Sequence, residues 1–443
     1  MKILLFTGAG ASAELGIPTM RPIAEEFVEH LEQQRFPEDI LRHIRERLEQ
    51  AQYDIEHLID DMDSIERGDQ ATRRWGIGGR SASADAIANI RREAEWFLMH
   101  ICERVAPRGA QCLWLPMLRQ LGRHELTLAT TNYDRAIEIA VAEIGTELHD
   151  GFRQFETNEH AEWDGFQGSH FPKLLKLHGS TDWYHSHNGL KVWKLRHAMP
   201  LFGALTLRTG ADPSLELVSA AVLPSREKKV NLAPYPDLMY EFQQAARQAD
   251  LVLFVGTSLR DPDIRRVCET AANRVPTWFV SRRDSIESFV PDKVRHIKQS
   301  ASYFVVSTLA HCLKTSTPDE AERVLDKAPD YTDSVLTPLV LMADKKSKAE
   351  DRCGAIEKLA SVRIGLLQDD IEPLFRDPNA GIQVYALGLV QDSPDRDSLL
   401  QTARTIAAEE PDSPFAKETE MLTKLIDILD ATPADAPQQA AAQ

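Results

Sequence analysis

Four short clusters carry the chemistry that this chain can offer. The first is Thr7-Gly8-Ala9-Gly10-Ala11-Ser12-Ala13. It follows Lys2 to Phe6, a short run rich in Ile, Leu and Phe, and precedes a helical stretch. A phosphate-cradling loop needs that context. Gly8 permits a tight turn, and Gly10 lets backbone approach a pyrophosphate without a Cβ clash. Backbone N–H groups at the following helix start then face the anion. Ser12 adds a hydroxyl donor. The same residues also read as an ordinary glycine turn between a strand and a helix.

The second cluster is Thr130-Thr131-Asn132-Tyr133-Asp134, where Asp134 also has the makings of a plain helix N-cap. The third is Lys176-Leu177-His178-Gly179-Ser180. An imidazole at a strand end, with an ordinary pKa of about 6.5, is suited to act as a base near neutral pH. His185, His187 and His197 lie nearby, but no helix, strand or hairpin period brings them together with a carboxylate, so no metal site is expected. The fourth is Val255-Gly256-Thr257-Ser258-Leu259, which supplies flexible backbone and two hydroxyls for a second phosphate or a ribose.

The surrounding patterns must hold these clusters in place. Apolar runs at Lys2–Phe6, Leu126–Thr130, Leu174–Leu177, Leu251–Val255 and Pro276–Ser281 read as short strands, with two more at Ala220–Leu223 and Tyr303–Val306. Helical spacing fills Arg21 to Gln50, Tyr53 to Ile65, Ala88 to Val105, Arg135 to Ile144 and Leu238 to Ala249. Residues 68–86 read as a mobile loop and 150–172 as ordered loop. Strands that end in small polar clusters and alternate with helices predict an α/β, Rossmann-like, mostly parallel doubly wound sheet. In such sheets ligands bind beyond the carboxyl ends of the strands, where all four clusters fall.

Past residue 315 the strand-like runs stop. Helical stripes follow, broken by Asp377-Pro378-Asn379. The expected organisation is a catalytic domain over 1–312 with a helical insert at about 21–125. A helical domain follows over 313–430, with hairpins that resemble HEAT repeats, and then a disordered tail over 431–443.

Composition narrows the classes. The chain has 443 residues, 43% apolar and 27% charged, which fits a soluble globular protein of two or three domains. The formal charge of −17, from 51 basic and 68 acidic residues, disfavours nucleic-acid binding. No apolar run is long enough to span a membrane, and the N-terminus lacks the features of a signal peptide, so a cytoplasmic location is expected. The cysteines, at 102, 112, 268, 312 and 353, form no Cys-x-x-Cys pair, which leaves no zinc module.

Taken in order, GAG-A-S, T-N-Y-D, L-H-G and G-T-S-L resemble the sirtuin family, as does Leu15-Gly16-Ile17-Pro18 with Arg21 after it. The chain departs from deacylase sirtuins in lacking their two Cys-x-x-Cys pairs. It has Thr19-Met20 where they have Asp-Phe, and Thr181-Asp182-Trp183-Tyr184 does not resemble their acyl-peptide groove. It is more similar to the sirtuin-like domains of bacterial antiphage effectors, which destroy NAD⁺.

That resemblance implies an NAD⁺ glycohydrolase that takes NAD⁺ as substrate and acts in abortive infection. Asn132 and His178 would be catalytic. Gly8, Ala9, Gly10 and Ser12 would hold the pyrophosphate, and Gly256, Thr257 and Ser258 the adenosine side. Asp134 would fix the loop that presents Asn132. Arg21 is a candidate phosphate contact and Trp183 a candidate wall of the nicotinamide pocket, although a surface role and a core role explain them as well. Regulation through a homo-oligomer or a partner protein is expected of such an effector. The alternatives are an NAD-dependent deacylase or ADP-ribosyltransferase, and a non-catalytic sensor of NAD⁺ or ADP-ribose.

Overall fold

The computed structural model describes residues 1–51, most of 53–62, 76–77, 80–81, 84–153 except 147, 160–186 except 167 and 169–171, 191–195, 205–207, 215–219, 233–282 and 294–431. The predicted strand at Ala220–Leu223, most of the loop at 68–86, and all but the first residue of the tail lie outside the described residues. Two compact units are present, one of Met1–Gln111 and Leu121–Ala301, the other of Cys112–Gln120 and Ser302–Gln443.

Among the described residues, the main sheet of the first unit has six strands: β1 (Lys2–Thr7), β2 (Glu125–Thr130), β3 (Lys173–Lys176), β4 (Leu251–Val255), β5 (Thr277–Ser281) and β6 (Arg295–Lys298). Their order across the sheet is β6-β5-β4-β1-β2-β3, and every pairing is parallel. This is the doubly wound order of dinucleotide-binding folds, with its reversal point between β1 and β4.

Both faces of the central strands are covered, which explains why their sequences read as continuous apolar runs. Leu4 and Phe6 of β1, with Val252 and Phe254 of β4, share a core with Leu238, Phe242 and Ala246 of helix Tyr235–Gln248. Ile264, Val267, Cys268 and Ala271 of helix Pro262–Ala272 join the same core. Phe6 lies against Phe242 and Phe254, with ring centroids 5.6 and 5.4 Å away. The alternate residues Ile3, Leu5, Leu251 and Leu253 point to the other face and are just as buried.

Arg295–Lys298 was not anticipated as a strand. It is a short, charged edge strand, where burial imposes no apolar run. The run Tyr303–Val306, expected as a strand, is helical instead. It belongs to a segment that begins as α-helix at Ala301–Tyr303, widens to π geometry over Phe304–Leu309 and ends at Cys312. All six residues of the π turn are buried. A helix that is buried on every side carries no 3.6-residue amphipathic period, so the apolar run at its centre imitates a buried strand.

The stretch expected as ordered loop, 150–172, contains a short strand, His160–Glu162, and a bridge between Phe152 and Trp163. His160–Glu162 edges a second, antiparallel sheet whose next strands are Val192–Leu195, Trp183–Ser186, Leu215–Ser219 and Leu205–Leu207. Trp183 is buried there among Phe152 and Trp163, at 4.9 and 6.0 Å between centroids. It is part of that core.

The second unit is helical: Pro318–Leu325, Leu336–Ala343, Ala349–Ser361, Gln368–Phe375, Ala380–Leu387, Arg396–Glu409 and Pro414–Ala431. Ala349–Ser361, Ala380–Leu387 and Pro414–Ala431 pack in succession, and Gln368–Phe375 packs on Arg396–Glu409. Asp377 and Asn379 set the break between helices. Buried Asp377 pairs with Arg352 at 2.8 Å, and the Asn379 side chain caps the next helix by accepting from the Ile382 N–H at 3.2 Å.

Candidate functional site

Thr7-Gly8, Thr130-Thr131, Leu177-His178 and Val255-Gly256 all stand where the chain leaves the carboxyl ends of the parallel strands. Between the ends of β1 and β4 two glycine loops cross. The Gly8 N–H donates to Val255 O at 3.0 Å, and the Gly10 N–H donates to Gly256 O at 2.7 Å. A Cβ on Gly8 would lie 2.8 Å from Thr257 Cα, and one on Gly10 would lie 2.7 Å from Gly256 O. Gly256 has φ +63°, and a Cβ there would lie 2.4 Å from the Ala11 nitrogen. These glycines are therefore required by backbone-to-backbone contact at the reversal point. Their own N–H groups at 8 and 10 are spent inside the junction, while Ala9 and Ser258 are its exposed residues.

A hydrogen-bonded relay joins this junction to the end of β2. Asn132 Nδ2 donates to Gly8 O at 2.9 Å and to Ser12 Oγ at 2.7 Å. Ser12 Oγ donates to Asp134 Oδ2 at 2.6 Å. Asp134 Oδ1 accepts from the Ala136 N–H at 3.0 Å, at the start of helix Ala136–Glu143. Since Gly8 O can only accept, the amide orientation of Asn132 is fixed. Both of its amide hydrogens are used, so its amide oxygen is the group it can present to a hydroxyl or a water. Ser12 and Asp134 are buried and Asn132 is half-buried. Ser12 gives its hydrogen to Asp134, which casts it as a support for Asn132.

The loop that carries Asn132 is held from below by Lys176 at the end of β3. This lysine is almost fully buried, and its ammonium donates to Tyr133 O at 3.3 Å, to Asp134 O and to Glu138 Oε1 at 3.1 Å. Other charges are buried nearby. Asp182 is fully buried with Arg135 Nε 3.4 Å away, and Lys194 pairs with Asp150. Burial alone would lower the Lys194 pKa, but the Asp150, Asp182 and Glu138 carboxylates raise it above the usual lysine value.

His178 follows β3, and its ring lies 6.4 Å from that of Tyr133. Its Nε2 is 3.3 Å from Asp261 Oδ2, and both side chains are mostly buried. Asp261 was missed by sequence reasoning. In Arg260-Asp261-Pro262-Asp263 it reads as a helix cap, and it does accept from the Asp263 and Ile264 N–H groups.

Arg21 does not join the cluster. It is exposed, pairs with Glu25 at 3.0 Å and lies over the Tyr53 ring at 4.6 Å. The Thr257 hydroxyl accepts from the Leu259 N–H at 3.2 Å, shaping its own loop. His187 and His197 lie outside the described residues. No group of metal-binding side chains occurs among the described residues. Burial pushes the Cys102 and Cys268 thiols up to about 12, which makes both poor thiolate donors.

Asn132, bonded to the glycine junction at Gly8 O, and His178, which faces Asp261 in the loop after β4, thus both stand at carboxyl ends of strands in a doubly wound sheet. Residues 126–304 match the SIR2-like domain family. The matched residues run from β2 through β6 and so include Asn132, His178 and Gly256. Among solved structures, the chain is similar to a Sir2 homologue mutant in complex with 2′-O-acetyl-ADP-ribose, at 15% identity over 70% of this chain and 91% of that one, with a TM-score of 0.39. It is similar to a Sir2 homologue in complex with NAD, at 16% identity over 73% and 91%, TM-score 0.39, and to a Sir2 bound to an acetylated peptide, at 13% identity over 73% and 92%, TM-score 0.36. No curated protein matches the chain.

Proposed function

We propose that this protein is an NAD⁺ glycohydrolase, with its site at the carboxyl ends of β1 to β4. The observation that carries the reading is the fixed orientation of Asn132, whose amide oxygen is left to accept while His178 stands at the next strand end. The SIR2-like match over residues 126–304 adds the expectation of a nicotinamide dinucleotide as substrate.

The reaction breaks the bond between the nicotinamide nitrogen and C1′ of the ribose. Both electrons leave with nicotinamide, which departs neutral because it was cationic in NAD⁺. The sugar is left oxocarbenium-like. Water adds at C1′ and loses a proton, giving ADP-ribose. No general acid is needed, so the protein has to orient the ribose, place the water and accept one proton. Asn132 is assigned to a ribose hydroxyl or the attacking water, and His178 to the proton. The exposed residues of the glycine junction, Ala9 and Ser258, lie where a pyrophosphate would meet backbone, with Gly8, Gly10, Gly256 and Thr257 holding that surface in shape. Ser12 and Asp134 position Asn132.

The lack of any Cys-x-x-Cys pair favours hydrolysis over protein deacylation. The helical unit is assigned to assembly or to a partner that restrains the enzyme, a reading supported by its successively packed helices. An antiphage effector that drains cellular NAD⁺ is the biological role that fits such restraint. Product analysis tests the chemistry. Purified protein incubated with NAD⁺ and an acetylated peptide should release nicotinamide and free ADP-ribose. An O-acetylated ADP-ribose or a labelled protein would replace this reading with deacylation or ADP-ribosyl transfer.

A further inference from the structure

The contact between His178 and Asp261 joins two loops that the sheet keeps apart. His178 follows β3 and Asp261 lies in the loop after β4, yet β2 and β1 stand between these strands. At about 4.8 Å per strand spacing, the two strand ends are roughly 14 Å apart. The loop from Gly256 to Asp261 must cross much of the crevice to make the contact. Its path is specified by unusual backbone. Gly256 has φ +63° and Leu259 has φ +50°. A non-glycine residue in the left-handed region is uncommon and persists where surrounding structure holds it. Leu259 is held by burial at 2% exposure and by its N–H bond to Thr257 Oγ1 at 3.2 Å.

The carboxylate itself is anchored. Its Oδ1 accepts from the Asp263 and Ile264 N–H groups at 3.0 and 3.4 Å. These begin the eleven-residue helix Pro262–Ala272, which is rooted in the core by Ile264 and Val267. The other oxygen, Oδ2, faces His178 Nε2 at 3.3 Å. A carboxylate only accepts, so Nε2 must carry a hydrogen, and the lone pair of the neutral ring is then at Nδ1.

We infer that Asp261 is a positioning residue for His178: one oxygen is locked to a helix start, and the other selects the tautomer in which Nδ1 is the base. This rests on the glycohydrolase reading only for its kinetic consequence. The carboxylate also stabilises the imidazolium that forms when His178 takes a proton.

The test uses the full chain with Asp261→Asn, because asparagine caps a helix as well as aspartate does and keeps the side-chain size. Two readouts are needed. The first is steady-state nicotinamide release from NAD⁺. The variant should lose at least tenfold in kcat with KM changed less than threefold, and the acidic limb of its pH profile should move to lower pH. Wild-type kcat and an unmoved profile in Asp261→Asn, beside a dead His178→Ala, would overturn the inference while leaving the glycohydrolase reading intact. The second readout is independent of activity: ¹⁵N-histidine NMR, with the His178 resonance assigned by His178→Gln. Wild-type protein should show the Nε2-protonated tautomer, and Asp261→Asn should lower the His178 titration midpoint. An Nδ1-protonated ring in the wild type, or an unchanged midpoint in the variant, would refute the assignment even if the protein releases no nicotinamide at all.

Discussion

Gly256→Ala should be among the most damaging single-methyl changes in the chain. Two costs combine. An alanine at φ +63° sits in the left-handed region, at a cost of about 1–2 kcal/mol. The new Cβ would also stand 2.4 Å from the Ala11 nitrogen and 2.7 Å from the Gly10 carbonyl carbon. These are backbone atoms, so the clash is relieved only by parting the two loops and weakening the 2.7 Å bond from the Gly10 N–H to Gly256 O. Overpacking of this kind costs about 1–3 kcal/mol. Together the two effects amount to roughly 2–5 kcal/mol. At about 2–4 °C per kcal/mol, thermal unfolding should shift down by roughly 4–20 °C. Differential scanning calorimetry measures this, with Gly122→Ala as control. A Cβ at Gly122 meets nothing within 4 Å, so the control should stay within about 0.5 kcal/mol of wild type. A Gly256→Ala protein that melts with the control would refute the crossing of the two glycine loops.

Lys176→Met should destabilise the first unit by about 3–5 kcal/mol, because it leaves the Glu138 carboxylate and two loop carbonyls without their buried cation. In urea titrations the double variant Lys176→Met/Glu138→Gln should lose less than the two single losses combined, and strict additivity would contradict the pairing. In the second unit, burial lowers the pKa of His311, helped by Lys314 and opposed by Asp395. Among the described residues its Nε2 has no hydrogen-bond partner. The folded value lies below the unfolded one of about 6.5, so the unfolded chain binds the proton first. The stability due to neutral His311 is full above that value and is lost as pH falls below it. His311→Leu should flatten the fall in urea midpoint between pH 7 and 5, and an unchanged slope would exclude His311 as its source.

Much of the fold could be read from the chain because β1, β4 and β5 are buried on both faces and so appear as unbroken apolar runs. The reading failed where burial and charge broke that link between face and sequence. Tyr303 to Val306 is apolar on every side and gives no period, while Arg295–Lys298 is an edge strand made largely of charged and polar residues. Strands of three to five residues in the antiparallel sheet carry too little alternation to stand out from loop. The candidate site was legible in its parts. Each cluster announces itself by glycine, asparagine or histidine at a strand end. Their connections were not legible. Nothing local shows that Ser12 spends its hydrogen on Asp134, that Gly10 touches Gly256, or that an N-cap aspartate at 261 reaches His178. Those facts depend on the strand order.

The central claim is that Asn132 and His178 cleave NAD⁺ together. It is tested most directly by nicotinamide release from NAD⁺ by wild-type protein beside Asn132→Ala and His178→Ala, with circular dichroism confirming that both variants stay folded. The account predicts release by the wild type and a loss of about 100-fold or more in each variant, the scale seen when a positioned hydrogen-bonding or acid–base group is removed. Wild-type release that survives either substitution, or no release by wild-type protein in buffer and in phage-infected lysate alike, would contradict it.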